Sequence, residues 1–329
     1  MEATLAGVSP RTRTRIYVAV AAALAAAAVV GVTVLQTEDG EAGEPVAERP
    51  APPLELGLLA RDDPEARALR EAEAALERGE RAAARNRFEE ILADDPDSVE
   101  AAVGAAIAAW PDDSVARLRQ VVAEHPESGV ARLHLGLALL AGGEDEPAAR
   151  EWREAERRDP DTPAALRAED LLHPEMAPGR PPFVAPFAGA PELEGLPPER
   201  QLAELERRAE AGGVEDWLFL GAAYQRAGRP VSAGDAFGRA AELEPENVAA
   251  RVALAVGRFD KDDPSQAFSR LGPLARDHPG AGVVRYHLGL CLSWIGAVEE
   301  AKRQLRQARG GFYGREAERL FSRLEAIGP

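Results

Sequence analysis

The chain has 329 residues, of which 45% are hydrophobic, and its 56 acidic and 39 basic side chains leave a net charge of −17. A field of this sign repels nucleic acid and anionic lipid headgroups, so we assign no nucleic-acid role. The single cysteine, Cys291, excludes an intrachain disulfide framework and a multi-cysteine metal site.

The first predicted element is an uncharged segment over residues 16–35. About 20 residues in a helix span the roughly 30 Å hydrocarbon core, so we expect a permanent transmembrane anchor. A cleaved secretory signal is the alternative, but no small-x-small site follows the segment. Residues 1–15 contain arginines and the residues after the segment are acidic, which predicts a cytoplasmic N-terminus and an extracytoplasmic C-terminal domain. We therefore expect a single-pass protein of the cell membrane.

The next segment, residues 36–62, is rich in Pro, Gly and Glu and predicts a flexible tether. Beyond it the chain contains a duplication. Residues 124–140 and 277–293 are identical at ten of seventeen positions, at an offset of 153. Within each copy, prolines recur 34 residues apart, which is the length of one helix-turn-helix repeat unit.

The clearest unit begins at Trp217 and has large, small and helix-ending residues at fixed spacing. These are Trp217, Leu220, Gly221, Tyr224, Gly228, Ala233, Phe237, Ala240 and Pro245. The pattern resembles the tetratricopeptide repeat family. Small residues such as Gly221 allow two antiparallel helices to approach closely, and Gly228 is placed to end the first helix with a positive φ.

Parts of the same pattern occur in five further units. They lie at residues 79–96, 118–126, 129–160, 248–279 and 282–311. We predict an all-α fold, a tetratricopeptide-like solenoid of helical hairpins that the resemblance implies is a right-handed superhelix, preceded by one transmembrane helix. The predicted parts are block 1 over 63–173, a Pro-rich insertion or linker over 174–198, block 2 over 199–311 and a capping helix over 312–329.

Two arrangements of the blocks are open. The insertion contains eight prolines and is not helical throughout. It either links two separate arrays or interrupts a degenerate seventh unit of one continuous superhelix, and we favour the continuous version.

Sequence signals of catalysis are missing: no P-loop, no Gly-x-Ser-x-Gly, no HExxH and no GxGxxG occurs. His134 and His287 are repeat equivalents, so repeat architecture rather than catalysis or metal binding explains them. Cys291 occupies a helix stripe and is interpreted as a small buried residue. We expect no enzymatic activity, no cofactor and no metal.

The resemblance implies a concave groove lined by the first helix of each repeat. In block 2 the corresponding residues are Leu218, Val252, Val256, Phe259, Tyr286, Leu290 and Trp294. They are apolar, which predicts a protein or peptide partner with an apolar or amphipathic segment. Alternatively, Phe183 and Phe187 of the insertion, or the terminal helix, fill the groove from within.

The function predicted from these features is a membrane-anchored docking scaffold. One alternative is an assembly factor for envelope or cytochrome c maturation, and another is a self-associating structural stalk that forms homo-oligomers. The Ala-, Arg- and Glu-rich, Lys-poor composition suggests a bacterium with a high-GC genome.

Overall fold

The computed structural model describes residues 50–58, 61–187, 193 and 195–326. Fifteen α-helices and no β-strand occur in these residues. The predicted span over 16–35 lies outside them, and so does the tether up to residue 49. Among the helices that are described, none combines the length and the apolar character needed to cross a membrane.

Block 1 contains seven helices. They are α1 (Pro64–Glu77), α2 (Arg81–Asp94), α3 (Val99–Ala108), α4 (Ser114–Glu124), α5 (Gly129–Ala141), α6 (Asp145–Arg158) and α7 (Pro163–Leu172). Block 2 contains eight. They are α8 (Pro198–Ala211), α9 (Val214–Arg226), α10 (Pro230–Leu243), α11 (Val248–Gly257), α12 (Ser265–Asp277), α13 (Gly282–Trp294), α14 (Val298–Ala308) and α15 (Gly314–Ala326).

The helices pack as six hairpins: α1 with α2, α3 with α4, α5 with α6, α9 with α10, α11 with α12, and α13 with α14. Within each block the first helix of one hairpin contacts the first helix of the next, as α3 contacts α5 and α11 contacts α13. The described helices therefore form tetratricopeptide-like hairpins stacked in chain order, which confirms the predicted all-α repeat fold. The last helix of each block, α7 or α15, packs on the hairpin before it.

Close helix approach depends on glycine, as the sequence predicts. A Cβ atom on Gly221 of α9 would lie 2.3 Å from Cε1 of Phe237 on α10. In block 1, a Cβ on Gly136 of α5 would lie 2.2 Å from Nε1 of Trp152 on α6. Gly228 follows α9 with φ +73°, so the left-handed conformation expected at the end of the first helix is present.

The two blocks meet through a polar seam instead of a continuous apolar stack. The Asp161 carboxylate accepts the N–H groups of Val231 and Ser232, each at 2.9 Å, and so caps the first turn of α10. Lys261 is 2% exposed and pairs with Asp170 at the end of α7. Among the described helices, α7 and α8 do not pack on each other as a hairpin, which favours two arrays joined by the insertion over a seventh unit.

The predicted boundary between the tether and block 1 is too far along the chain. The sequence predicts a flexible tether up to residue 62, but residues 50–58 pack against block 1. Leu56 and Leu58 are each 5% exposed and belong to the block 1 core. Leucines at alternate positions of an extended chain share one face, which gives this stretch an apolar edge to bury.

Candidate functional site

The residues predicted to line a groove all lie in block 2, but they fall into two buried clusters. We call the face formed by α9, α11 and α13 the second groove. The residues predicted to line it are Leu218, Val252, Val256, Phe259, Tyr286, Leu290 and Trp294, of which all but the partly buried Trp294 are buried. The first four share a cluster with Phe183, whereas Tyr286 and Leu290 pack in a separate cluster with the capping helix. Phe259 is predicted on the first helix of its repeat but lies just after α11, which ends at Gly257.

The cover on this face comes from the Pro-rich insertion. Residues 177–187, the second segment, run without regular secondary structure across the first helices of block 2. At one end, the Trp294 indole N–H donates to the Gly179 carbonyl at 2.8 Å. Further along, Phe183 joins the same buried cluster as Leu218 and Val256. The second groove is therefore filled by the chain itself.

The second segment is held largely through its main chain. The N–H of Phe183 donates to Oε1 of Gln225 at 2.8 Å, and the N–H of Val184 donates to Nε2 of His287 at 2.9 Å. The Tyr313 hydroxyl donates to the Val184 carbonyl at 2.7 Å. Side chains of block 2 and Tyr313 thus bind the main chain of the segment, as a neighbouring β-strand would. Main-chain hydrogen bonds of this kind bind an extended peptide independently of most of its side chains.

One side chain of the second segment is deeply inserted. Phe183 is 3% exposed. Its ring lies 5.3 Å edge-on from the Phe237 ring and stacks at 5.1 Å on the His287 ring. Phe187, which is only partly buried, meets Phe219 at 5.0 Å. The groove therefore combines main-chain recognition with an aromatic pocket.

The protonation state of His287 follows from its partners. Nδ1 lies 2.7 Å from the Val283 carbonyl, which only accepts, so Nδ1 carries the hydrogen. Nε2 of the neutral ring is then a free acceptor for the Val184 N–H. Complete burial lowers the pKa of His287 to about 4, which keeps the ring neutral around pH 7.

Block 1 contains a similar arrangement on the face formed by α1, α3 and α5, which we call the first groove. Residues 50–58, the first segment, lie on it. The Glu55 N–H donates to Nε2 of His134 at 3.0 Å, and Nδ1 of His134 lies 2.7 Å from the Val130 carbonyl. Burial lowers the pKa of His134 to about 4. Arg70 of α1 also binds this segment, because its guanidinium donates to the Leu58 carbonyl at 3.2 Å.

Sequence reasoning missed the role of these two histidines. It explained His134 and His287 as structural residues duplicated with the repeat, which accounts for their burial but not for the segment N–H groups that their Nε2 atoms accept. The available signal was the recurrence of Pro-Pro followed by a large apolar residue, at residues 52–54 and 181–183.

A cavity of about 790 Å³ remains open beside the second segment. Its lining is mainly apolar and includes Phe183, Phe187, Phe219, Val256 and Phe312. Elsewhere in the described residues, no group of His, Cys, Asp and Glu side chains is arranged to hold a metal. Burial raises the pKa of the Cys291 thiol to about 12, so this thiol is protonated and unreactive.

Comparison with known proteins adds little beyond the fold. No family model matches the sequence, and no curated protein matches it. Among solved structures, a tetratricopeptide repeat protein from Parabacteroides merdae is 11% identical, with a TM-score of 0.34, over 80% of this chain and 98% of its own. Yeast Tom70 is 13% identical, with a TM-score of 0.31, over 75% of this chain and 50% of its own.

A third similar structure is YrrB, described as a tetratricopeptide protein with an unusual peptide-binding site. It is 17% identical, with a TM-score of 0.29, over 58% of this chain and 90% of its own. What these proteins have in common with this chain is the helical-hairpin repeat. At TM-scores below 0.5 they carry no argument about its partners or activity.

Proposed function

We propose that this protein is a membrane-anchored scaffold that binds a protein partner through the apolar second groove. The anchor is the apolar segment over residues 16–35, and the repeat blocks lie on the extracytoplasmic side. The chain performs no chemistry on its partner. A repeat surface with a peptide-shaped apolar groove is suited to docking.

One observation carries this proposal. The second groove holds an extended segment through the amide of Gln225, the imidazole of His287 and the hydroxyl of Tyr313. These groups bind main-chain atoms, so a partner segment with a different sequence is able to satisfy them. The geometry favours an extended ligand over an amphipathic helix, because a helix has no free main-chain N–H groups along its length to donate.

The cavity beside the second segment offers the partner a first contact. Phe219 lines it, together with the exposed Phe312. Apolar surface left open next to an occupied groove is where an incoming chain gains burial before any displacement occurs.

Site-specific photocrosslinking tests the proposal. The full chain, carrying benzoylphenylalanine in place of Phe219, is irradiated in membranes of the cells that make it. The matched control carries the same probe at Leu243, which is 55% exposed on α10, outside the groove. We expect a discrete crosslinked partner from position 219 and none from position 243. Identical products from both positions would contradict a groove-directed function.

The anchor is tested separately by alkaline extraction of the same membranes. An anchored chain stays in the pellet, and deletion of residues 16–35 releases it into the supernatant. A full-length chain that is extracted by alkali would remove the membrane part of the proposal and leave the groove part standing.

A further inference from the structure

The two segments that fill the grooves share a sequence pattern. Residues 52–58 read PPLELGL and residues 181–187 read PPFVAPF. When the segments are aligned on the residue whose N–H donates to a histidine, Glu55 matches Val184 and the two Pro-Pro pairs coincide. Leu54 and Phe183 then occupy the same position. The first proline of each pair is buried and the second is exposed.

The histidines that bind them match as well. His134 and His287 both bind the carbonyl four residues earlier at 2.7 Å and accept a segment N–H at 3.0 and 2.9 Å. The segment and its histidine are separated by 79 residues in block 1 and by 103 in block 2, where α8 is additional. The pairing is therefore kept although the connection between segment and repeat differs.

Proline at the start of the segment has a physical reason. A buried proline leaves no N–H group without a partner, and two consecutive prolines hold the chain extended before binding. In the second segment the following residue inserts its side chain, since Phe183 packs against Phe237 and His287. Its equivalent in the first segment, Leu54, is partly buried. The next residue is bound through its main chain, because Glu55 and Val184 have unlike side chains and both donate their N–H to a histidine.

We propose that the two grooves are duplicate binding sites for one class of ligand, an extended Pro-Pro-Φ-x segment, where Φ is a large apolar residue and the N–H of x binds His134 or His287. The chain's own segments occupy the sites in cis, and a partner that presents such a segment replaces them. This inference rests on the proposed function and names its ligand.

Peptide binding to the full chain in detergent micelles tests the inference. The probe is a fluorescein-labelled peptide with the sequence of residues 178–187, followed by fluorescence anisotropy. We compare the wild-type chain with Phe183→Ala, whose own segment lacks its anchor. Because a cis ligand reduces the fraction of open grooves, we expect the variant to bind the probe at least tenfold more tightly. Val184→Pro, which removes the donating N–H from the chain's own segment, is a second variant with the same expected result.

Two N-methylated probes distinguish main-chain recognition from simple apolar insertion. Methylation of the nitrogen that corresponds to Val184 removes the N–H that His287 accepts, and we expect binding to Phe183→Ala to weaken at least tenfold. Methylation at the position of Ala185, whose N–H makes no hydrogen bond among the described residues, is the control and should change binding less than twofold.

Three outcomes would overturn the inference. Equal binding of both methylated probes means that His287 does not read the ligand. If the probe fails to bind either variant at millimolar concentration, a Pro-Pro-Φ-x segment is not the ligand. Crosslinks from position 219 would then still support the proposed function. A concentration-dependent mass of Phe183→Ala without peptide would assign the groove to the segment of a second copy instead of a partner.

Discussion

Truncating Phe183 to alanine is the sharpest perturbation of the second groove. The side chain is 3% exposed and lies between the rings of Phe237 and His287, at 5.3 and 5.1 Å. A buried aromatic side chain of this kind removes roughly 150–250 Å² from water, and its truncation costs about 3–5 kcal/mol. Val184 and Phe187 are only partly buried, so most of this loss falls on the docking of the second segment.

The global stability of the repeats is a poor readout of that loss. The hairpins also contact one another directly, so we expect the fall in unfolding free energy to be limited to the free energy of docking. Hydrogen exchange of the segment's own amide groups measures the loss of docking more directly. The N–H groups of Phe183 and Val184 donate to Gln225 and His287, and both are exposed when the segment leaves. We expect their hydrogen exchange to accelerate about 100-fold or more.

The assay is hydrogen exchange of the full chain followed by mass spectrometry, comparing residues 180–187 with α10. Leu140→Ala, which truncates an apolar side chain that is 42% exposed on α5 of block 1, is the control and should leave both regions unchanged. Unchanged exchange at residues 183 and 184 in Phe183→Ala would refute the reasoning. Equal acceleration in α10 would also refute it, because the segment and the repeat would then open as one unit.

Three further outcomes are expected from chemical denaturation of the full chain. The pKa of His287 is about 4 in the fold against 6.5 unfolded, so the stability it contributes is complete above pH 6.5 and is lost as the pH falls towards 4. Between pH 8 and pH 5 we expect the wild-type chain to lose about 2 kcal/mol more unfolding free energy than His287→Gln. Gly221→Ala should cost about 1–3 kcal/mol, because the new Cβ meets the fully buried Phe237 ring at 2.3 Å, whereas Gly238→Ala on α10 meets nothing within 4 Å and should be neutral or stabilising. Burial and neighbouring carboxylates raise the pKa of Glu156 to about 7, so its charge destabilises the fold at high pH. Glu156→Gln should therefore stabilise the chain by about 1 kcal/mol above pH 7, a figure reduced for partial exposure, and by less as the pH falls to 4.5.

The repeat fold is predictable because its determinants are local and recur. Gly221, Phe237 and Gly228 stand at fixed spacing, and each has one physical task that the structure bears out: close approach, filling the space left by glycine, and ending a helix. The capping helix is predictable for the same reason, since Ala317, Phe321 and Leu324 recur on one face and are buried.

The groove segments are not predictable in the same way. Proline content says that residues 174–198 are not helical throughout, but it does not say where an extended chain lies. The position of Phe183 is decided by a pocket whose walls come from α10 and α13, far away in sequence. The packing of residues 50–58 was missed because charge and proline dominate the composition around Leu56 and Leu58, whereas only a few leucines carry the contact.

A groove that is occupied by the chain's own segment can still bind a partner, but the partner must compete with the high effective concentration of that segment. A short linker holds its segment at an effective concentration in the millimolar range, so a free peptide of equal affinity displaces half of it only at similar concentration. A partner must therefore gain energy elsewhere, and the 790 Å³ cavity beside Phe187 and Phe219 is apolar surface that the cis segment leaves unused. Each tenfold advantage over the cis segment requires about 1.4 kcal/mol, or burial of roughly 55 Å² of apolar surface at 25 cal/mol per Å². A partner that inserts one further aromatic side chain there exceeds this requirement, so modest contacts beside the groove are sufficient to exchange its occupant.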